Sequence, residues 1–400
     1  MMTKLLVIAP QNPYPAKDGG KMSIYYPLIH LAKYFQIHFV FPYSQPLPKD
    51  IEQHFEDVGI KIYPQKARTK DSLPGIFLNL FSHLPYKFQK YYKTFILRNI
   101  KKIVRKENVR YIWCNHSHVA WYAMQLQKEF DVKIFLREHN IEYSLVQQVM
   151  KLTSNRLAKV FIRLQLLKTE KYEINCWKKF DRTFFISDSD FSLAKKVCTN
   201  CLKLELLYDS FYEKKGIIAE KKEPHSFIFT GNIDTFQNSY NLQKFITEIW
   251  EPLIKADPRW KLYVTGNKDE IIKKKIKSDF VANNIINLGF VDDIEKTISS
   301  KKYFVSPTYI GSGLRIKVLN AMAGGAVCFL TPLDTNMLSF LRDFDNIIKF
   351  DTFNDFYKNL IRLESTESLY NSISLQALKA GTSFTWKDYA IKVYNEITRI

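Results

Sequence analysis

Short apolar runs separated by longer stretches of helical periodicity recur along the whole chain, and this alternation restricts the fold more than any other feature. Residues 5–9, 38–41, 61–63, 111–114, 133–136 and 183–186 read as buried strands, each followed by chain enough for a helix. The same rhythm returns at residues 226–230, 261–265, 285–288, 303–306, 326–330 and 347–350. Strands that alternate with helices build parallel sheets with helices on both faces, so the class is α/β. The chain has 400 residues, more than one hydrophobic core usually serves, and the rhythm therefore predicts two similar domains in tandem. A hydrophilic segment at 213–223, followed by Pro224, reads as the linker. The expected domains are 1–205 and 224–385, with a last helix at 386–400.

Composition narrows the function classes. With 46% hydrophobic and 25% charged residues the chain is neither disordered nor fibrous. No apolar run approaches the roughly 18 residues of a membrane span, and residues 5–9 are too few for a signal-peptide core. The expected address is cytoplasmic. Residues 1–200 hold 32 Lys and Arg against 16 Asp and Glu, and residues 201–400 hold 27 against 24. The basic excess of the first half suggests a polyanionic partner: nucleic acid, an anionic membrane surface or a phosphorylated substrate. Residues 85–107 read as one basic, aromatic, amphipathic helix, which suits either a solvated face or peripheral docking on the inner face of an anionic membrane. No nucleic-acid module accompanies the charge, so nucleic acid is not the expected partner. Five cysteines without an export signal imply no disulfide framework. Cys198 and Cys201 form a C-x-x-C without a second pair or a nearby His, and read as ordinary thiols rather than zinc ligands.

Two loops carry chemistry. The first strand leads into a turn-rich loop ending in Gly19-Gly20, ahead of a helix that starts near Lys21. Paired glycines let backbone N–H groups approach an anion at a helix N-terminus, although a plain strand-to-helix turn reads the same way and G-x-G-x-x-G is absent. The run from Ser306 to Ala326 says more: a strand ends, Gly311-Ser312-Gly313 follows, and a helix opens with Arg315 and Lys317. Cations at a helix start oppose its dipole unless an anion binds there, so the loop reads as a phosphate cradle.

Residues 311–331 resemble the nucleotide-sugar signature of the family-four retaining glycosyltransferases, which have the GT-B fold of two Rossmann-like domains facing a cleft. Further segments agree in order: Leu6 to Gly20, Glu138-His139-Asn140-Ile141-Glu142-Tyr143, Ile186-Ser187-Asp188, Phe229-Thr230-Gly231-Asn232, Val264-Thr265-Gly266, Leu288-Gly289-Phe290-Val291-Asp292-Asp293 and Phe384-Thr385-Trp386. The resemblance implies that Arg315 and Lys317 hold the donor diphosphate and that Gly311 and Gly313 admit its close approach. Phe290 and Val291 are then expected near the nucleobase, Gly231 in the donor loop, and Gly19 and Gly20 facing the diphosphate from the other domain. The last helix is expected to pack back on the first domain. No metal or cofactor is expected, since fixed cations take the electrostatic role. Two departures stand out. Ser312 and Asn320 occupy positions where the family often has Glu, and Asn320 can still hydrogen-bond a ribose diol without charge. The Arg and Lys often found after the opening strand of the second domain are missing from 231–238.

Acceptor chemistry is expected in the first domain. Asn115-His116-Ser117-His118 and Glu138-His139 each follow a strand, where parallel sheets bind ligands. His116 and His139 can donate to sugar hydroxyls or move a proton, and Glu138 can orient the acceptor; capping the next helix is the plainer role for either cluster. The expected activity is transfer of a sugar, with retention, from a nucleotide diphosphate donor to a carbohydrate or lipid-linked acceptor in surface polysaccharide or glycan assembly. The alternatives are a non-catalytic GT-B protein that binds nucleotide sugar or glycan and supports an active transferase, and an epimerase of the same fold.

Overall fold

A computed structural model describes residues 2–16, 18–204, 222–233, 235–266, 279–383 and 385–400, with the backbone alone for 279 and 280. Most of the expected linker, residues 213–221, and Phe384 lie outside the described residues. The chain divides into two compact units.

The first unit comprises Met1–Leu206, Ser312–Leu314 and Trp386–Ile400. Its sheet has seven parallel strands: β1 (Thr3–Ile8), β2 (Phe35–Tyr43), β3 (Ile60–Lys66), β4 (Tyr111–Asn115), β5 (Lys133–Glu138), β6 (Arg182–Phe185) and β7 (Cys201–Lys203). Their spatial order is β3-β2-β1-β4-β5-β6-β7. The order reverses between β1 and β4, which opens a crevice beyond their carboxyl ends. Helices α1 (Gly19–Leu31), α2 (Leu73–Asn79), α3 (Tyr86–Gln89), α4 (Thr94–Glu107), α5 (Glu142–Leu152) and α6 (Arg156–Lys179) are among those joining the strands. The C-terminal helix Trp386–Thr398 packs on this unit through aromatic contacts: Trp386 stacks on Tyr26, and Tyr394 meets Tyr34 and Phe35.

Two expectations need correction here. Residues 85–107 are two helices, α3 and α4, because the Tyr122 hydroxyl holds the backbone between them, donating to the Tyr91 carbonyl at 2.6 Å and accepting from the Lys93 N–H at 3.0 Å. Two of their aromatics turn inward, Phe88 fully buried and Tyr92 stacked on Trp121, while Phe95 stands 43% exposed. In α4, Ile96, Ile100, Ile103 and Val104 follow helical spacing into the core. Cys198 and Cys201, expected as thiols, form a disulfide. The C-x-x-C turn brings their Cα atoms to 5.9 Å, within bridging range, at the start of the short edge strand β7.

The second unit comprises Leu207–Gly311 and Arg315–Thr385. Its six parallel strands are β8 (Glu223–Thr230), β9 (Lys261–Thr265), β10 (Ile285–Gly289), β11 (Lys301–Ser306), β12 (Val327–Leu330) and β13 (Ile348–Lys349), in the order β10-β9-β8-β11-β12-β13. The reversal falls between β8 and β11. Helices α7 (Phe236–Phe245) and α8 (Ile316–Ala323) follow those two strands. The core is unusually aromatic, with Phe227, Trp250, Trp260, Tyr303, Phe329 and Phe356 packed against one another.

Candidate active site

In the second unit the polar groups converge on the β8/β11 reversal. Lys317, in the first turn of α8, reaches across to β8: its Nζ donates to the Thr230 carbonyl at 3.0 Å and lies 4.4 Å from the centre of the Phe229 ring. Burial lowers its pKa to about 8, opposed by the Asp334 carboxylate and helped by the neighbouring Arg315. Arg315 caps α8 with a non-helical backbone, and its Nε lies 3.6 Å from Asp334 Oδ1. Asp334 is fully buried, and that burial pushes its carboxyl upward against the pull of Arg315. Gly311 has φ +150°, and the place a Cβ would take is filled by the Arg315 guanidinium. Any side chain at 311 displaces the cation.

The loop is braced from α7. Asn241 Oδ1 accepts from the Tyr309 and Ile310 N–H groups at 2.9 and 3.0 Å, while its Nδ2 donates to the Ile310 carbonyl at 2.9 Å. Thr331 Oγ1 donates to the Thr308 carbonyl at 2.7 Å. Gly231 sits beside Thr230 at φ +150°, where a Cβ would lie 3.1 Å from Asn238 Nδ2. Asn320 is buried within α8, its Oδ1 without a hydrogen-bond partner among the described residues. The structure thus gathers Gly231, Gly311, Arg315 and Lys317 around the reversal. Phe290 and Val291 stand apart, beyond the end of the outer strand β10, with Phe290 59% exposed.

In the first unit His116, Glu138 and His139 gather at the ends of β4 and β5. His116 takes a left-handed backbone, φ +85°, and its N–H donates to the Arg137 carbonyl at 2.8 Å. Its Nδ1 lies 2.8 Å from His118 Nδ1, and its Nε2 lies 3.5 Å from Glu142 Oε1. A proton on Nε2 faces that carboxylate favourably, which leaves Nδ1 to accept from His118. Burial lowers the His116 pKa to about 4, so the ring is neutral at pH 7. Glu142 is ionised: burial raises its pKa, but Lys87, bonded to it, and His116 hold it below the usual range.

His139 belongs to a relay that ties the glycine loop to β5. Arg137 Nη1 lies 3.3 Å from His139 Nε2, which must accept; His139 Nδ1 then donates to Ser23 Oγ at 2.9 Å, and Ser23 Oγ donates to the Gly20 carbonyl at 2.9 Å. Burial and Arg137 hold the ring neutral. At the start of α1 the Asp18 side chain accepts from the Lys21 N–H, and a Cβ at Gly19 would meet nothing within 4 Å. Helix α1 begins at Gly19, two residues earlier than the periodicity indicates.

Glu138 is spent on the framework. One oxygen accepts from the Ser117 N–H and hydroxyl at 3.2 Å each, the other from Trp177 Nε1 at 3.1 Å. Burial raises its pKa to about 8, and the group is only 1% exposed. It positions the His116 loop. Glu173 accepts from the Glu142 and Tyr143 N–H groups and caps α5 from α6. His116, His118 and Glu142 bring one potential metal-ligand atom each within 4.8 Å of one another. Those atoms are already engaged, the imidazoles with each other and Glu142 with Lys87 and Asn140.

Asn241, Asp334, Ser23 and Arg137 contact these groups and were not among the expected site residues. Asp334 had a signal, a carboxylate just past a strand end, whereas Asn241 is a polar residue inside a helix with nothing to mark it.

Two Rossmann-like units, each with its own strand-order reversal, define the class of fold: it is the GT-B fold, shared with solved glycosyltransferases. Residues 224–365, most of the second unit, match the family described as glycosyl transferases group 1. Among solved structures, the chain is similar to a sucrose-phosphate synthase from Thermosynechococcus elongatus, with TM-score 0.72 and 11% identity over 99% of this chain and 98% of that one. It is likewise similar to HepE of Anabaena in complex with UDP, with TM-score 0.66 and 10% identity over the full length of both. A curated relative, an uncharacterized 44.6 kDa protein in the cps region of Klebsiella pneumoniae, is 23% identical over 330 residues, 80% of this chain and 81% of that one. No helix among the described residues is long and apolar enough to cross a membrane.

Proposed function

We propose that the chain transfers a sugar, with retention, from a nucleotide diphosphate donor to a carbohydrate or lipid-linked acceptor during surface polysaccharide assembly. The observation that carries the reading is the placement of Lys317 and Arg315 at the β8/β11 reversal, Lys317 on the Thr230 carbonyl and Arg315 beside Asp334. Lys317 gives one N–H to Thr230 and keeps two for phosphate oxygens. As the bond between the anomeric carbon and the diphosphate breaks, negative charge grows on the departing oxygens, and both cations are already aimed there. They do the electrostatic work a metal would do. In the first unit His116 and Glu142, paired at the end of β4, stand where an acceptor hydroxyl can be fixed. With its pKa at about 4 His116 is a poor base, so the acceptor proton leaves with the departing phosphate. The UDP and UDP-glucose complexes of HepE favour a nucleotide sugar as donor, and the cps region of the Klebsiella relative favours a polysaccharide product.

The test is a panel of nucleotide sugars offered with glycan and lipid-linked acceptors, reading nucleoside diphosphate release and the anomeric configuration of the product. Retention in the product, and turnover lowered about 10²–10³-fold in Lys317→Ala, is the expected outcome. Asn320, uncharged where the resembling family has Glu, motivates the second reading, a non-catalytic partner. Nucleotide binding with no release from any donor and acceptor would establish that reading instead.

A further inference from the structure

Of the sixteen large apolar side chains that stand exposed among the described residues, nine come from two short stretches, 73–81 and 152–167. Leu73 and Phe81 on and after α2 are 82% and 80% exposed, and Leu157 and Val160 at the start of α6 are 84% and 70% exposed. The two stretches meet at Asn79. Gln165 Nε2 donates to Asn79 Oδ1, and Lys168 Nζ to the Asn79 carbonyl, both at 2.8 Å. Leu157 lies eight residues before this junction and Leu73 six, so both sets stand within about 12 Å of it along their helices. Leu157, Val160, Phe161 and Leu164 follow the i, i+3, i+4, i+7 spacing that a globular fold normally covers, and here its first members are uncovered. Apolar surface concentrated in this way marks an interaction site.

Charge selects the occupant. Residues 72–86 and 143–169 contain no Asp or Glu at all, and the second stretch holds five Lys and Arg. On α6, Arg156, Lys159 and Arg163 fall on the flank of the apolar stripe at about 100° per residue. A second copy docking face to face would set these cations against their own counterparts. A bilayer with anionic headgroups satisfies both features, taking the apolar side chains among its acyl chains and pairing the flanking cations with its phosphates.

We propose that the surface formed by α2 and the start of α6 docks the chain on an anionic lipid bilayer. It is not the face expected from the basic run 85–107, where Phe88 is in the core and Tyr92 packs on Trp121. The proposal is independent of the transfer chemistry.

The test floats the full chain with vesicles of phosphatidylcholine, alone or with about 30% phosphatidylglycerol. Binding is expected to the anionic vesicles, about tenfold or more weaker on phosphatidylcholine alone and in about 0.5 M salt. The double variant Phe77→Glu/Leu157→Glu should lose binding about tenfold or more, and Lys159→Glu/Arg163→Glu likewise. The control Ile361→Glu/Leu375→Glu, at exposed apolar positions of the second unit, should bind as the parent does. An unchanged circular dichroism melt shows that each variant is folded. Equal binding by the parent and the double variant overturns the proposal. So does a parent that ignores both vesicle types, or a dimer that Phe77→Glu/Leu157→Glu dissociates while neither form binds vesicles.

Discussion

Replacing Lys317 by Met should separate stability from activity in opposite directions. The substitution keeps most of the volume of the stem over Phe229 and removes the charge. A lysine whose pKa falls to about 8 is harder to protonate in the folded chain than in the unfolded one. From the usual 10.5 the difference is about 3 kcal/mol at about 1.36 kcal/mol per unit. Lys317 keeps part of its surface in water, which reduces that figure to about 1–2 kcal/mol. The sign follows from linkage: the cost is fully present below pH 8, where both states are protonated, and fades as pH rises from about 8 to 10.5. At pH 7 the Met variant should therefore melt about 2–8 °C higher than the parent in differential scanning calorimetry without nucleotide. The advantage should shrink above pH 9. The same variant should lose about 10²–10³-fold in turnover, because a buried cation prepared for the departing diphosphate is gone. A variant that melts lower than the parent at pH 7, or that retains turnover, refutes the reasoning.

Other perturbations should be as specific. Asn241→Ala removes three hydrogen bonds from the signature loop and leaves buried backbone groups unpaired, so it should cost about 1–3 kcal/mol in denaturant unfolding and raise the KM for donor more than it lowers kcat. Gly311→Ala should weaken nucleoside diphosphate affinity in calorimetric titration, because the new methyl group takes the position of the Arg315 guanidinium. His116 resists protonation until about pH 4, so its contribution to stability should fall between about pH 6.5 and 4; His116→Gln should flatten that limb of a pH-dependent unfolding series. Glu138 behaves oppositely: with its pKa near 8, the folded chain keeps a proton that the unfolded chain sheds above about 4.5, so its contribution declines as pH rises toward 8. Glu138→Gln should flatten that second limb.

Buried parallel strands are readable because their burial on both faces writes continuous apolar runs, and all twelve expected strands are present within a few residues. The edge strand β7 was not readable: Cys201-Leu202-Lys203 is three residues long and lacks such a run. The break between α3 and α4 was equally hidden, since it depends on Tyr122, thirty residues away from the chain it interrupts. At the site, glycines and cations clustered in one loop announced Gly311, Arg315 and Lys317, because backbone freedom and charge are local properties. Their supports are not local. Asp334 and Asn241 reach the loop from other elements, and Ser23 couples Gly20 to His139 across the sheet. Spacing could not show either that both ring nitrogens of each histidine face partners, Arg137 and Ser23 for His139 and His118 and Glu142 for His116.

The central claim is that the β8/β11 reversal binds the diphosphate of a nucleotide sugar. Isothermal titration of the full chain with a panel of nucleoside diphosphates and nucleotide sugars tests it most directly. The account predicts selective binding of one base, weakened about tenfold or more in Arg315→Ala, as expected for a lost charge-assisted contact. Binding of every nucleotide with equal affinity in the parent and Arg315→Ala, or of none, would contradict it.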